Sequence, residues 1–225
     1  PKNHNHMKQK TIFLFFFFLF VLFFFCIKET EQTKPISSID YPNYSQLKVG
    51  NYWIYEQFGI DTLGNALSKN TFDSCYIEKD TIINRKTYFK VVKPRPYATN
   101  QIDISFQRDS LHYVVNSFGK ILFSSQDFTT IFESSYITAG PVDTVCQVKK
   151  QMADNNLSVT TPAGAFTTSN AKVVYSMFPN WTFAGSSRNK HTRYAENIGI
   201  VIETLPFFAS NPNYVERRLV RYHLN

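Results

Sequence analysis

Cys26 separates two kinds of hydrophobic pattern in this chain. Residues 12–25 before it form an unbroken apolar run. After it, apolar and polar residues alternate with a period of two, which is typical of half-buried β-strands. The clearest case is QIDISFQ, where Ile102, Ile104 and Phe106 lie on one face and polar residues lie on the other. The pattern predicts a leader followed by a β-rich domain.

Short alternating segments recur along the whole second part, and turn residues in DTLGNA, NRK, RDS, NSFGK and TPAG separate many of them. Besides QIDISFQ they are NYWIYEQF, FDSCYIEKD, KTYFKVV, LHYVV, KILFSS, TVCQVKK, LSVTT, AKVVYSM, IGIVIETL and RRLVRYHL. The best candidate for a short helix is SQDFTTIFESSYI. We predict a mainly β fold, a single antiparallel, strongly curved sheet or incomplete barrel of about ten strands with at most one short helix. A closed barrel and a sandwich are the alternatives.

The leader resembles a signal peptide more than a membrane span. Its apolar run has 14 residues, whereas a bilayer core needs about 20 in a helix. The preceding MKQK supplies the positive charge that signal peptides carry before the apolar run. We therefore predict an upstream extension at 1–6, a signal peptide at 7–25, a lipidated cysteine and flexible tether at 26–44, and a β domain at 45–225.

Cys26 stands where a bacterial lipoprotein carries its lipid. The run contains no A-x-A pattern for ordinary cleavage. A cysteine at its end resembles the lipobox, in which the cysteine is lipidated and becomes the first mature residue, although Phe24 and Phe25 replace the usual small residues. An uncleaved anchor with Lys8 and Lys10 held inside, or ordinary cleavage, are the alternatives. All three predict that the rest of the chain lies outside the cytoplasm.

The residues after the cysteine make the predicted cellular location more specific. Lys28, Glu29 and Glu31 resemble the short signal of one lysine plus acidic residues that directs lipoproteins of Bacteroidota-type bacteria to the cell surface. A plain solvated tether explains the same residues. The prediction is lipid attachment at the outer membrane or cell surface, with the membrane as one partner.

Three further stretches carry a family resemblance. They are VGNYWIYE at 49–56, TPAGAFTT at 161–168 and YAENIGIVIE at 194–203. In this order and spacing they resemble a family of exported lipoproteins of uncharacterised function, mostly from Bacteroidota-type bacteria, over residues 45–224. By analogy the fold is similar to the carriers and receptors of lipoprotein sorting, where an incomplete barrel wraps an apolar cavity. Pro162 and Gly164 suit a turn, and Gly199 suits a bulge or a close backbone crossing.

Charge argues against nucleic acid as a partner. All 17 acidic residues and 21 of the 24 basic ones follow Cys26, so this part has a net charge of +4. The excess is spread along the chain without a basic block, and nucleic-acid binding needs such a patch.

The sequence contains no recognisable catalytic, metal or cofactor motif. His112, His191 and His223 are far apart, and the sequence has no C-x-x-C, G-x-S-x-G, P-loop or G-x-G-x-x-G. A nucleophile such as Ser110 or Cys75 near His112 would need folding to bring it there. We therefore predict no enzyme, no metal and no cofactor.

Two kinds of modification are candidates outside the cytoplasm. Cys75 and Cys146 could form a disulfide there, or be two small buried side chains. The tripeptide Asp-Ser/Thr-apolar resembles an O-glycosylation acceptor of exported proteins of these bacteria, and ordinary turn chemistry is the alternative. Its candidate acceptors are Thr62, Thr81, Ser110 and Thr144.

Aromatic residues in two loops and on one strand are the candidate contacts for a ligand or partner. They are Trp53, Tyr55, Phe178, Trp181, Phe183, Phe207 and Phe208. Arg188, Lys190 and Arg193 border the first loop, which would suit an amphiphile with an anionic head. The predicted function is a non-catalytic binding or assembly module of the cell envelope. The alternative function is a carrier of an apolar or amphiphilic ligand, which needs a cavity of a few hundred Å³. The aromatic loops have an alternative explanation too, because they could simply pack over an open end of the sheet.

Overall fold

Residues 40–61, 63–96, 100–206 and 214–225 are described in the computed structural model of the chain. These ranges contain thirteen strands of one antiparallel sheet and a 3-10 helix at Pro179–Ala184. The strands are β1 (Tyr52–Ile60), β2 (Ala66–Ile83), β3 (Lys86–Pro94), β4 (Ile102–Ser110), β5 (Tyr113–Asn116), β6 (Ile121–Ser124), β7 (Glu133–Thr138), β8 (Thr144–Met152), β9 (Leu157–Thr161), β10 (Gly164–Met177), β11 (Ser187–Ala195), β12 (Gly199–Pro206) and β13 (Tyr214–His223). The predicted mainly β class is confirmed.

The sheet curves until distant strands meet across its concave side. Its order is β6-β5-β4-β3-β2-β1-β13-β12-β11-β10-β8-β7, and β9 pairs with the first part of β10. Lys93 on β3 reaches Glu203 on β12 across three intervening strands, with Nζ 3.1 Å from Oε1. Phe123 on β6 packs against Tyr194 on β11 with the rings tilted and their centroids 4.3 Å apart. The fold is therefore an incomplete barrel, as predicted.

Tight turns connect the paired strands where the sequence places residues that tolerate a positive φ. Asn84 and Arg85, at φ 50° and 62°, form the two-residue connection of β2 and β3, as expected for a hairpin whose turn matches the strand twist. Gly164 has a φ of 135° where β9 turns into β10. The predicted turns at NRK and TPAG are confirmed.

The segment that was the best candidate for a short helix does not form one. This segment, residues 125–137, begins with an irregular stretch and ends in β7. The carboxylate of Asp127 accepts hydrogen bonds from the backbone N–H groups of Thr129 and Thr130, which closes a local turn instead of a helical one. The helix that does occur lies at 179–184 and follows Phe178 with a proline at its start. Within the described ranges, no helix is long and apolar enough to cross a bilayer.

The face assignment of β4 is also unexpected. Ile102 and Ile104 are 55% and 49% exposed on the convex side, whereas the polar Gln107 points into the concave side and lines a cavity there. Alternation correctly predicts that these residues lie on opposite faces. It does not predict which face is inside, because the interior of this sheet is partly polar.

Candidate binding site

One half of the concave side is apolar. It brings together the three sequence stretches that carry the family resemblance, at 49–56, 161–168 and 194–203. We call the following buried side chains the apolar layer: Trp53, Tyr55, Cys75, Ile77, Val201 and Leu219. Trp53 Nε1 donates to the backbone oxygen of Ile198 at 2.7 Å, and the Tyr55 hydroxyl donates to that of Ile200 at 2.8 Å. Ala163, from TPAG, donates its backbone N–H to the backbone oxygen of Leu219. These motifs pack the interior.

Gly199 makes the predicted close backbone crossing. Its φ is 103°, and a Cβ atom there would lie 3.2 Å from Trp53 Nε1. The register of β11 and β12 also shifts beside it, between Arg193 and Tyr194. Glycine is therefore required here by both backbone conformation and space.

A charged half lies beside the apolar layer on the same concave side. We call its six ionisable side chains the charged belt: Asp73, Lys93, Lys150, Lys190, Glu203 and Arg217. Along β13, Arg217 stands between the buried Val215 and Leu219. The belt thus takes inward strand positions that a hydrophobic residue would ordinarily fill.

Hydrogen bonds satisfy the two carboxylates of the belt. Glu203 accepts from Lys190 at 2.9 Å and Lys93 at 3.1 Å through one oxygen, and Arg217 Nη1 lies 3.2 Å from the other. Asp73 accepts from Arg217 Nε at 2.5 Å and from the amide of Gln57 at 2.9 Å. Arg217 Nη2 also donates to a backbone oxygen of β3, that of Pro94. Each buried carboxylate therefore has a cationic partner, as burial demands.

The environment of the belt changes its ionisation. Burial alone would raise the pKa of Glu203, but Lys190, Lys93 and Arg217 hold the pKa well below its ordinary value. Burial, reinforced by the charge of Lys190, lowers the pKa of Lys150 to about 8. Glu203 is thus an anion at neutral pH, and Lys150 carries its proton less firmly than an exposed lysine does.

A small cavity lies where the apolar layer meets the belt. Its volume is about 70 Å³, and Trp53, Tyr55, Cys75, Lys93 and Glu203 are among the residues that line it. Such a volume holds several water molecules, whereas ligand pockets measure about 300 to 1,000 Å³. The cavity is smaller than the carrier hypothesis requires.

The predicted aromatic contacts divide between the interior and the surface. Trp53 and Tyr55 are buried and commit their polar atoms to backbone oxygens. Trp181 is half-buried against the cluster around Cys146, and its indole N–H donates to Asp143. Phe178 and Phe183 are 38% and 70% exposed. Phe207 and Phe208 lie outside the described residues.

The predicted basic cluster is split between two faces. Lys190 lies on the concave side with Glu203, and Arg188 is buried two residues earlier in β11. Arg193 points to the opposite side, where Nη1 lies 2.7 Å from Asp154 Oδ1. Even and odd positions of one strand face opposite ways, so these three cations do not form one site.

The structure does not pair the two cysteines as the predicted disulfide. Both thiols are free and buried, Cys75 in the cluster of Trp53 and Cys146 in a second cluster around Val148. Burial raises the pKa of Cys75 to about 12. At neutral pH Cys75 is therefore a thiol, a poor nucleophile.

The histidines lie at separate places. His112 Nδ1 is 2.9 Å from the Ser124 hydroxyl, His191 contacts the Asn170 amide, and His223 stacks on Tyr52. None of these contacts links His112 to the predicted nucleophiles Ser110 or Cys75 in the described part of the chain. Across the same ranges, no group of three potential ligands is placed to hold a metal ion.

The modification sites stay predictions. Thr81, Ser110 and Thr144 are each partly exposed on a strand. Thr62, like Cys26 and the whole signal peptide, lies outside the described residues. Beside Thr62, the Asp61 carboxylate accepts backbone N–H groups from Leu63 and Asn65, which is the turn chemistry offered as the alternative.

The charged belt was missed by sequence reasoning, although a signal for it exists. Lys150 stands between Val148 and Met152 at a spacing of two, just as Arg217 stands between Val215 and Leu219. A charged residue flanked in this way on both sides points inward with its neighbours. This pattern predicts buried charges in a β-strand.

Comparisons with known proteins give a weak likeness. No protein-family model matches the chain, and no curated protein matches it. One similar solved structure is a protein from Parabacteroides distasonis proposed to be a lipoprotein, with 13% identity, a TM-score of 0.48, and coverage of 82% of this chain and 100% of that one. Another is a protein from Bacteroides fragilis proposed to be exported, with a YmcC-like fold, 12% identity, a TM-score of 0.45, and coverage of 81% and 98%. At these values the likeness assigns no function to this chain.

Proposed function

We propose that this chain is a cell-envelope lipoprotein, attached through Cys26, whose β domain is a non-catalytic binding module. The observation that carries the proposal is the apolar run of residues 12–25, which follows a positive segment and ends at that cysteine. A run of 14 residues suits a signal peptide. Several acyl chains on one cysteine would hold the domain stably at a membrane, which a single chain does not.

The interior favours binding of a small polar group over carriage of an acyl chain. The cavity of about 70 Å³ offers room for water-sized groups. Polar side chains line it together with apolar ones, among them Gln107 and the belt residues Lys93 and Glu203. Among envelope functions, a module that recognises a polar group fits this interior best.

The attachment is tested in cells with a clickable fatty acid. We expect the wild-type chain to take up the label and to fractionate with membranes, and Cys26→Ala to lose the label. The matched control is Cys75→Ala, which removes a buried thiol of the β domain and leaves lipidation intact. A wild-type chain that stays unlabelled at full length in the membrane would instead establish an uncleaved anchor, and an unlabelled chain in the cytosol would overturn the envelope location.

A further inference from the structure

Two lysines of the charged belt lie in one row across three strands. Lys150 on β8 is opposite Val173 on β10, which in turn is opposite Lys190 on β11. Directly opposed residues of antiparallel strands share a face. Because Lys190 contacts Glu203 on the concave side at 2.9 Å, the whole row faces that side.

Lys150 has no anion of its own. Among the described residues, its ammonium group makes no hydrogen bond and no ion pair within 4 Å. Its neighbour across the β7–β8 pair is Glu133, but that carboxylate is bound by Lys120, with Nζ 3.0 Å from Oε1. Lys150 is half-buried and within electrostatic reach of Lys190, Lys93 and Lys120. Neighbouring cations repel each other, and a bound anion would relieve that repulsion.

The belt as a whole carries a surplus of positive charge. Its four cations are Lys93, Lys150, Lys190 and Arg217, and its two anions are Asp73 and Glu203, so its net charge is +2 when all are ionised. The two carboxylates are already saturated by cations and by Gln57. The Lys120–Glu133 pair beside the belt is neutral in sum. One of the two surplus charges is therefore Lys150 itself, and the other lies among the three cations that share Asp73 and Glu203.

We propose that Lys150 and Lys190, with Lys93 behind them, bind a phosphate-type dianion at the concave side of the sheet. The dianion matches the surplus of two charges and would complete the partners of Lys150. Lysine ammonium groups bind phosphate oxygens as point charges with several donors each. The inference deepens the proposed binding function and rests on it, because it names the chemistry that the module recognises.

The ligand chemistry has two sources, free phosphate and the phosphomonoester end of a larger molecule. The adjoining cavity of about 70 Å³ is too small for an acyl chain. A phosphorylated lipid would therefore present only its headgroup to the belt. Glycerol 3-phosphate serves as a probe for that headgroup, and inorganic phosphate as a probe for the free ion.

The test is calorimetric titration of inorganic phosphate into the full-length chain in a mild detergent at pH 7, with ionic strength held constant by chloride. We expect saturable binding of one phosphate per chain. Lys150→Met should weaken it by at least about tenfold. Lys149→Met is the matched control, because Lys149 is the exposed neighbour on the opposite face of β8 and its loss should leave the affinity unchanged.

The outcomes separate clearly. Absence of saturable binding to the wild type, or equal affinities of wild type and Lys150→Met, would overturn the site. Thermal unfolding of Lys150→Met checks that the variant is folded, so that lost binding is not attributed to lost structure. With the site supported, tighter binding of glycerol 3-phosphate than of phosphate indicates a headgroup ligand, and the reverse order indicates the free ion. Fatty-acid labelling at Cys26 is read separately in cells, so failure of the anion site and failure of the envelope proposal remain distinguishable.

Discussion

The two halves of the concave side differ in how completely their buried polar groups are paired. In the apolar layer, Trp53 and Tyr55 carry one polar atom each, and each donates to one backbone oxygen at 2.7 or 2.8 Å. In the charged belt, Glu203 and Asp73 are matched by cations, but Lys150 is left over. A completed set of partners serves stability, whereas an incomplete set costs stability and is a feature of binding sites. The first half should therefore tolerate little change, and the second should gain stability where the surplus is removed.

Arg217→Ala should have the largest effect, because it removes the partner of two buried carboxylates. The variant leaves Asp73 and Glu203 with fewer counter-charges, and breaking a buried pair from one side costs about 3 to 5 kcal/mol. Chemical unfolding of the full-length chain measures this loss.

Arg218→Ala is the control on the convex side of the same strand. Arg218 pairs with Glu216 at 2.7 Å and lies over the Phe58 ring, with its side chain 29% exposed. Its removal should cost about 1 kcal/mol or less. Equal losses of unfolding free energy in the two variants would mean that the ion pairs of the belt contribute no more to stability than a pair on the convex surface.

Gly199→Ala should be the most damaging small change in the apolar layer. The new Cβ would meet Trp53 at 3.2 Å, and the φ of 103° is unfavourable for alanine. Because the indole is held by Ile198, we expect a loss of about 3 kcal/mol from strain and overpacking together. Gly64→Ala is the control, since its φ is 83° with nothing within 4 Å of the new atom. Denaturant midpoints that fall equally for both variants would show that crowding by Trp53 contributes nothing.

Lys150→Met should stabilise the protein at neutral pH. The pKa of Lys150 is lowered from 10.5 to about 8, so the folded state binds a proton less tightly than the unfolded state. The wild type carries this penalty in full below pH 8 and loses it as the pH rises from 8 to 10.5. After allowance for partial exposure, we expect a gain of about 2 kcal/mol at pH 7.

The pH profile of that gain provides the sharper measurement. The difference between Lys150→Met and the wild type should shrink as the pH rises through the window, while Lys149→Met should follow the wild type throughout. A difference that is constant with pH would show that the methionine acts through packing alone. Removing the lysine would then say nothing about the charge surplus.

The sequence predicts the strands whose inward positions are hydrophobic, and it misses the others. β11 was not predicted because Arg188, Lys190 and Thr192 occupy its inward positions, so the strand shows no apolar alternation. The candidate helix overlaps β7, a short edge strand whose serine pair and low burial leave it without a clear apolar alternation. The apolar layer follows from motifs at Trp53 and Gly199, whereas the belt depends on pairings between residues far apart in sequence.

Tyr55→Phe should have the smallest effect and tests how dry the apolar layer is. The variant keeps the ring and removes only the hydroxyl that donates to Ile200 at 2.8 Å. A lost hydrogen bond of this kind costs about 1 kcal/mol when the acceptor stays unsatisfied. Tyr52→Phe is the control on the convex side of β1, where the ring stacks on His223, and it should be close to neutral. The stability changes of both variants are measured as shifts of the denaturant midpoint, with the dependence of the unfolding free energy on denaturant unchanged.

If Tyr55→Phe is also neutral, water in the cavity of about 70 Å³ satisfies the Ile200 oxygen. The apolar layer would then contain water, and the contrast with the charged belt would lie in charge alone.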